Sequence, residues 1–520
     1  MAPEEEFMAV QDPGQEIRSD NATVAKSAGK AFLGQSAAVV EALGLIIFTW
    51  LYAPAVVGLF FTLWAALKVL TAVTEFAMTT SQQRFTPASK TKAGDAQILK
   101  AALMVSLSIS IGTTLLVAWF APEIAGYFHS GTVSKELFTT IIRIYVWALP
   151  AWTLVEVLTA SVRAQRKFGP EIRVRIFYEQ GLRLIGGVAL FYAGLETFGL
   201  FYAHVISITL AAILAFRLAS KFYDLKAVLN APVDPAFLKE FLSFSALMMP
   251  ANFIKKLFLV GSVIIVNKAL GVEAAAIYGL GRHISSVLQI VHLSFEYVMA
   301  PFASLKNALA KRDELQGLYA FTTRLIVALV MPLGILLIYL SRDILTVFNP
   351  DYAAATGVII ILTAGRITEA LSGTSAAVIE MLGNKMLPLA NNLVGLTALF
   401  VLQYYLKVDY GVYGIALATA VGFNLISLLS LAEAYFIYGL SPYSKKTLRP
   451  LLVSFILSTM MGGFFVIADK MPHAVHFSLA LISIYVALMI LVRFGLSEED
   501  ARSLGRIGRW FRNFKPQTAI

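Results

Sequence analysis

The chain has 520 residues, 58% of them hydrophobic and 14% charged, with a mean hydropathy of +0.73. A soluble domain of this size needs far more charge on its surface, so the composition excludes a soluble enzyme or binding module and describes helices bathed in lipid. The net charge of +10 falls mostly on alternate connections between apolar stretches, which marks it as membrane orientation and excludes a nucleic-acid face. With no cysteine, disulfides and thiolate metal sites are excluded as well.

A bilayer core about 30 Å thick needs about 20 helical residues. The polar, acidic opening lacks the n-region and h-region of a signal peptide, so the first span is expected to insert as an uncleaved anchor with the N-terminus in the cytoplasm. Spans then follow over 31–52, 56–80, 98–121, 137–162, 172–194 and 198–219. A second set covers 241–267, 274–301, 319–340, 355–381, 387–406 and 411–437, and two more close the series at 450–468 and 475–493. The expected fold is all-α: a polytopic membrane protein of about 14 transmembrane helices, arranged as two six-helix bundles plus two C-terminal helices. This divides the chain into a cytoplasmic segment 1–30, a first bundle 31–222, a cytoplasmic linker 223–240, a second bundle 241–438, two additional spans within 439–493 and a tail 494–520.

One set of connections is basic: Arg84, Lys90 and Lys92; Arg163, Arg166, Lys167, Arg173 and Arg175; Lys306, Lys311 and Arg312; Lys445, Lys446 and Arg449. The other set is almost bare, with Lys135, Lys268, Arg342, Lys407 and Lys470 one to a loop, so both termini are expected in the cytoplasm. The tail carries Arg502, Arg506, Arg509, Trp510, Phe511, Arg512 and Lys515, a pattern that suits an amphipathic helix on anionic lipids. A weak internal repeat pairs Val57-Gly58-Leu59-Phe60-Phe61 with Ala275-Ala276-Ile277-Tyr278-Gly279. It also pairs Lys167-Phe168-Gly169-Pro170 with Lys385-Met386-Leu387-Pro388, and Phe198-Gly199-Leu200-Phe201 with Tyr410-Gly411-Val412-Tyr413. Transporters are often built from such repeated halves with the substrate path between them.

An ionisable group in a span costs about 2.5–3.5 kcal/mol on insertion scales, so those that persist usually face a bundle interior or a wet cavity. Here they include Glu41, Lys68, Glu75, Arg143, Glu156, Glu179 and Arg183 in the first half. The second half holds Lys255, Lys256, Arg282, His283, His292, Glu296, Arg324, Arg366 and Glu369. Lys68 and Glu75 fall within about 20° on one helix face, and Arg282 and Glu296 within about 40°. Glu179 with Arg183, and Arg366 with Glu369, stand at spacings where a self-neutralising ion pair is the ordinary expectation. Lys68, Lys255 and Arg282 have no acidic residue one turn away in the sequence of their own helix, and a cavity role is expected for them. His204, His283 and His292 suit packing or interhelix hydrogen bonds. Pro250 is expected to kink the seventh span. The last two spans carry no charge at their centres and are expected to pack outside the others.

The two-times-six-plus-two plan, the Gly-aromatic pattern leading into the second, sixth, eighth and twelfth spans, and Glu75-Phe76-Ala77-Met78-Thr79-Thr80 ahead of Arg84 together resemble the polysaccharide and lipid-linked oligosaccharide flippases of the MOP (MATE-like) superfamily. Met299-Ala300-Pro301 at the end of the eighth span fits the same pattern. The resemblance implies a V-shaped pair of bundles around a central cavity that opens alternately to each side of a bacterial inner membrane. It implies a cationic lumen for a polyprenyl-diphosphate-linked glycan, with Lys68, Lys255, Arg282, Arg366 and Arg183 as the anion-attracting set. Glu41, Glu75 and Glu296 would position those cations or couple the cycle to a proton or sodium gradient. A polysaccharide polymerase is an expected partner; no cofactor, metal site, catalytic residue or nucleic acid is expected. Two rivals stay open: an antiporter of cationic drugs, which wants carboxylates and aromatics, and a membrane glycosyltransferase or polymerase, which wants catalytic residues on a sizeable outer loop.

Overall fold

The computed structural model describes residues 20–29, 37–87, 89, 91–165, 174, 178–382, 386–468, 471–504, 508 and 510. Lys90, Arg166, Lys167, Arg173, Arg175, Lys385 and Lys470 lie outside the described residues, as do the repeat stretch at 167–170, residues 1–19 and 30 of the opening segment and most of the tail beyond residue 504.

The described residues are overwhelmingly helical. Nine helices among them are long and apolar enough to cross a membrane, and a bent pair makes a tenth. In chain order the helices are α1 (Ala37–Leu51), α2 (Pro54–Thr74), α3 (Lys92–Trp119), α4 (Lys135–Tyr145 continuing as Ala148–Ala164), α5 (Gln180–Tyr192) and α6 (Gly199–Ala219), of which α1 and α5, as far as they are described, are too short to count among those nine. Then come α7 (Pro235–Leu270), α8 (Val272–Ala308), α9 (Arg312–Phe348) and the bent α10 (Ala355–Ala370 with Ser375–Met381, 53° apart). The run Met386–Phe436 is two passages joined at Gly411, whose φ of 52° and ψ of −129° no helix accommodates; they are α11 (386–410) and α12 (412–436). The last two are α13 (Lys445–Ala468) and α14 (His473–Ile490).

Local chemistry starts these helices where the charges change. Thr91 caps α3 by accepting the Gly94 N–H at 3.1 Å, and Asp234 caps α7 ahead of Pro235, whose missing N–H is no loss in a first turn. The helix α7 continues through Pro250, as α8 does through Pro301. α2 instead ends early. Phe76 and Ala77 take left-handed backbone conformations, φ 51° and 55°, before a helix resumes at Met78–Phe85. Left-handed backbone costs a non-glycine residue roughly 1–2 kcal/mol, and Glu75 offsets part of that by accepting hydrogen bonds from the Thr79 N–H at 3.3 Å and the Thr79 hydroxyl.

Within the first half α5 packs on α6 and α1, and α4 packs on α3 and α6. In the second half α8 packs on α7, α9 and α10, and α10 packs on the α11–α12 run. The halves meet where α2 packs on both α7 and α8, and where α1 reaches α9. At that seam two glycines of the repeat work reciprocally. A Cβ on Gly58 would stand 2.0 Å from the Val272 carbonyl oxygen at the start of α8, and one on Gly279 would stand 2.5 Å from the Phe61 ring of α2. The first obstacle is backbone and cannot rotate away. Gly58→Ala should therefore push α2 from α8 and destabilise the protein by about 1–3 kcal/mol, read as a lower apparent melting temperature in detergent; an unchanged melt would contradict this close approach.

The end bearing the bare connections is clasped by side chains on main chain. The Asn267 amide donates to the His129 carbonyl and accepts its N–H, both at 3.1 Å, and Lys268 donates to the Tyr127 carbonyl at 2.8 Å. Thr49 and Trp50 at the end of α1 donate to the carbonyls of Phe348 and Val347, and Asn349 donates to that of Thr49. The basic end is pinned by charge. Lys306, 3% exposed, holds Asp20 and Glu314 at 2.5 Å each, and Arg324 makes two hydrogen bonds, 2.8 and 2.7 Å, to the buried Asp500 in the short helix Glu498–Ser503. α13 and α14 lie against α9 through Ala328, Leu336, Leu340, Met461 and Phe465.

Candidate functional site

Four helices from both halves converge around Glu41 of α1. Its carboxylate lies 3.8 Å from Nδ1 of His283 on α8. Arg183 of α5, Lys68 of α2 and Arg282 of α8 are within electrostatic reach of the same carboxylate. Three permanent cations thus act on one carboxylate; of these groups Glu41, Arg183 and His283 line a cleft with Phe48, Phe60, Phe61 and Trp64, while Lys68 and Arg282 stand behind its wall. A net positive charge at low dielectric attracts an anion strongly, because little water screens it.

Each cation is held differently. Lys68 places its ammonium 3.6 Å from the centre of the Trp64 ring and 5.8 Å from that of Trp152, a geometry in which the ring quadrupole attracts the cation. Arg183, buried on α5, donates to the Gln180 side chain one turn back. Arg282 is partly buried, and among the described residues no carboxylate comes within ion-pair distance of it. It faces across to Arg366 as well as to Glu41. His283 is held flat against Phe61, ring centres 5.3 Å apart, and lies 5.5 Å from Trp64.

Two flanking groups extend this centre. Toward the basic end, Glu75 is buried and lies within electrostatic reach of Glu156 and Lys256, and Glu156 accepts from the Trp152 indole at 3.2 Å. On the second-half side, Arg366 pairs with Glu369 at 2.6 Å and lies 4.0 Å over the Phe423 ring, while His292 and Glu296 stand 3.3 Å apart one turn along α8. Glu369 and Arg366 are within electrostatic reach of His292, so this group continues toward Arg282.

Of the residues singled out from sequence, the structure brings Lys68, Arg183, Arg282 and Glu41 together, with Arg366 and Glu296 alongside and Glu75 in the adjoining acidic group. Lys255 stands apart from them: it is 49% exposed and ion-paired at 2.9 Å with Glu380 of α10. The neighbouring Lys256, turned by about 100° around α7, is the one that reaches Glu75. Arg324 serves the tail, not the centre. His204 packs among Phe60, Tyr145 and Trp152, and its Nδ1 lies 2.5 Å from the Tyr145 hydroxyl. Trp64 and, as a site residue, Phe61 had no role from sequence, though they hold Lys68 and His283 in place; for Trp64 the signal was there in its i,i+4 spacing to Lys68 on one helix face.

Residues 47–351 match the family described as "Polysaccharide biosynthesis protein". No curated protein matches the chain in sequence. Among solved structures, the lipid II flippase MurJ in an inward closed conformation superposes with a TM-score of 0.64 at 13% identity, covering 88% of this chain and 97% of that one. An inward-facing multidrug resistance MATE family transporter of the MOP superfamily gives 0.62 at 14% identity, covering 78% and 93%. The Vibrio cholerae MATE transporter VcmN in its bent form gives 0.59 at 11% identity, covering 79% and 96%. At such identities the likeness is one of fold.

Proposed function

The chain belongs to the polysaccharide biosynthesis protein family, and from that premise we propose that it flips an undecaprenyl-diphosphate-linked oligosaccharide across the bacterial inner membrane by alternating access. Its fold is that of MOP transporters and flippases. The observation that carries the reading is the meeting of Lys68, Arg183 and Arg282 around a single carboxylate at the seam between the halves. A sugar diphosphate cannot cross hydrocarbon alone, because its desolvation is prohibitive; fixed cations along the path would replace the lost water. Arginine adds direction, since its planar fork makes paired hydrogen bonds to phosphate oxygens where lysine offers a mobile point charge. Glu41 keeps the cations apart and in register while the site is empty, and an arriving diphosphate competes with it for them.

Rocking of one half against the other about the α2–α7 and α2–α8 contacts then exposes the site to either face, with no covalent bond changed. Charge asymmetry of the loops supports cytoplasmic termini and a bare end facing outward. The carboxylates Glu75 and Glu156, close together beside Lys256, are where a proton or sodium ion would couple to the cycle. The antiporter reading needs an open aromatic face for a cationic drug, but Lys68 already covers Trp64.

The test is reconstitution. The purified chain in vesicles carrying a polyprenyl-diphosphate oligosaccharide in one leaflet should speed its appearance in the other, read by a glycan-cleaving enzyme added outside. A rate equal to that of protein-free vesicles, with drug-driven proton exchange in its place, would overturn the proposal in favour of the antiporter.

A further inference from the structure

A second cluster of ligand-capable side chains shares no residue with the cleft and lies at the bare end. Asp343, near the end of α9, has a side chain only 8% exposed, and its two oxygens face two different imidazoles from the first turns of α14: Oδ1 lies 2.5 Å from His473 Nδ1, and Oδ2 lies 2.7 Å from His476 Nδ1. The ligand atoms of the three residues fall within 4.8 Å of one another. The other ring nitrogen of His476, Nε2, is 2.7 Å from the carbonyl of Ala468 at the end of α13.

That last contact settles the ring's chemistry. A carbonyl can only accept, so Nε2 carries the hydrogen, and in the neutral ring Nδ1 is a lone pair aimed at a carboxylate oxygen. Two acceptors 2.7 Å apart repel unless a cation lies between or beside them. Either a proton or a metal ion meets that need, and a His N–H anchored on a backbone carbonyl is the arrangement that orients metal-ligating imidazoles. His473 and His476 share one face of α14 by their i,i+3 spacing. Two imidazoles and one carboxylate suit zinc-class ions, whereas calcium and magnesium want more oxygens. His473, 58% exposed, opens the site to solvent and leaves a coordination position for water.

The site also fills a mechanical need. α13 and α14 rest on α9 through apolar side chains, and between helices in lipid such contacts carry no hydrophobic driving force. We propose that Asp343, His473 and His476 bind one divalent transition-metal ion of the zinc class, which staples the α13–α14 hairpin to α9. Binding opens each N···O pair to about 3.3–3.6 Å, the spacing set by metal–ligand bonds of roughly 2.0–2.2 Å at tetrahedral angles. Rotation of the exposed His473 ring supplies much of that change.

The experiment uses the full chain without a polyhistidine tag, purified in detergent, stripped with a chelator and titrated with Zn²⁺ alone. Expected are about one ion bound per chain and a Zn²⁺-dependent rise in apparent melting temperature that Mg²⁺ does not reproduce. His473→Gln, which alters an exposed ring, should weaken binding by more than the roughly 10–100-fold seen for loss of a supporting contact; Asp343→Asn should abolish it. Equal Zn²⁺ affinity in the parent and His473→Gln, or a melt indifferent to Zn²⁺, overturns the proposal. Should Asp343→Asn fail to fold, the His473→Gln comparison decides alone.

Discussion

Arg282→Gln should lower flipping of the lipid-linked glycan about 10- to 100-fold, while leaving the apparent melting temperature nearly unchanged. A hydrogen bond to a charged partner contributes about 1.5–3 kcal/mol, and every 1.4 kcal/mol is tenfold. Among the described residues Arg282 has no ion pair to lose, and Glu41 keeps Lys68, Arg183 and His283 as neighbours. The fold therefore has little at stake in that guanidinium. Arg282→Lys should recover part of the rate, since the charge returns without the fork. The measurement is the initial flipping rate in vesicles beside a thermal melt of the same preparation. A large loss of stability with Arg282→Gln, or full activity without the cation, would remove the central cations from the proposed mechanism.

Asp500→Ala is expected to be the most destabilising single change in the molecule's pinned end, at about 3–5 kcal/mol. The carboxylate is 2% exposed and takes two hydrogen bonds from Arg324, itself 7% exposed, so removing it strands a buried guanidinium. A double replacement, Arg324→Met with Asp500→Leu, should regain most of the loss because no charge is then left without a partner. Melting of the three variants checks this. If the double variant is as unstable as the single one, the pair is not the connection that matters between α9 and the segment after α14.

Most of the helical passages were legible from hydropathy, because a bilayer dictates their length and disfavours charge on their lipid-facing sides; α1, α5 and α8 are not among the described helices long and apolar enough to cross. Their ends were less so. The span expected over 56–80 is broken after Thr74 by two left-handed residues, a backbone event that an apolar run does not signal. Glu75-Phe76-Ala77-Met78-Thr79-Thr80 was noticed as a pattern, and the structure supplies its physics: the acid and the threonine knit the break. α7, α8 and α9 all run further than expected, since their polar ends pass beyond any apolar window.

The charged residues of the site were visible one by one, yet their partners were not. Lys255 finds Glu380 and Arg324 finds Asp500 over more than a hundred residues of chain, and only the packing of α7 on the second half and of the tail on α9 brings them together. Helical periodicity ties neighbours on one face, which is why Arg366 with Glu369 could be paired in advance. His473 and His476 gave the i,i+3 half of a ligand set, but Asp343 lies on another helix. The reciprocal glycines belong to the same class: Gly58 and Gly279 looked like a repeat and turned out to be mutual clearance between α2 and α8.

The fastenings of Asn267, Lys268, Thr49, Trp50 and Asn349 all grip peptide carbonyls or amides of the opposing segment. Such grips have no dedicated counterpart that would be left stranded, and as the gap widens, water takes each place in turn. At roughly 0.5–1.5 kcal/mol apiece, the six bonds of the zip amount to about 3–9 kcal/mol, a threshold of the size that the proposed diphosphate cargo, tightly held, would surmount by preferring one state. Under the proposed function such a door would release when loaded and re-form when vacated, without any part of it having to recognise the cargo.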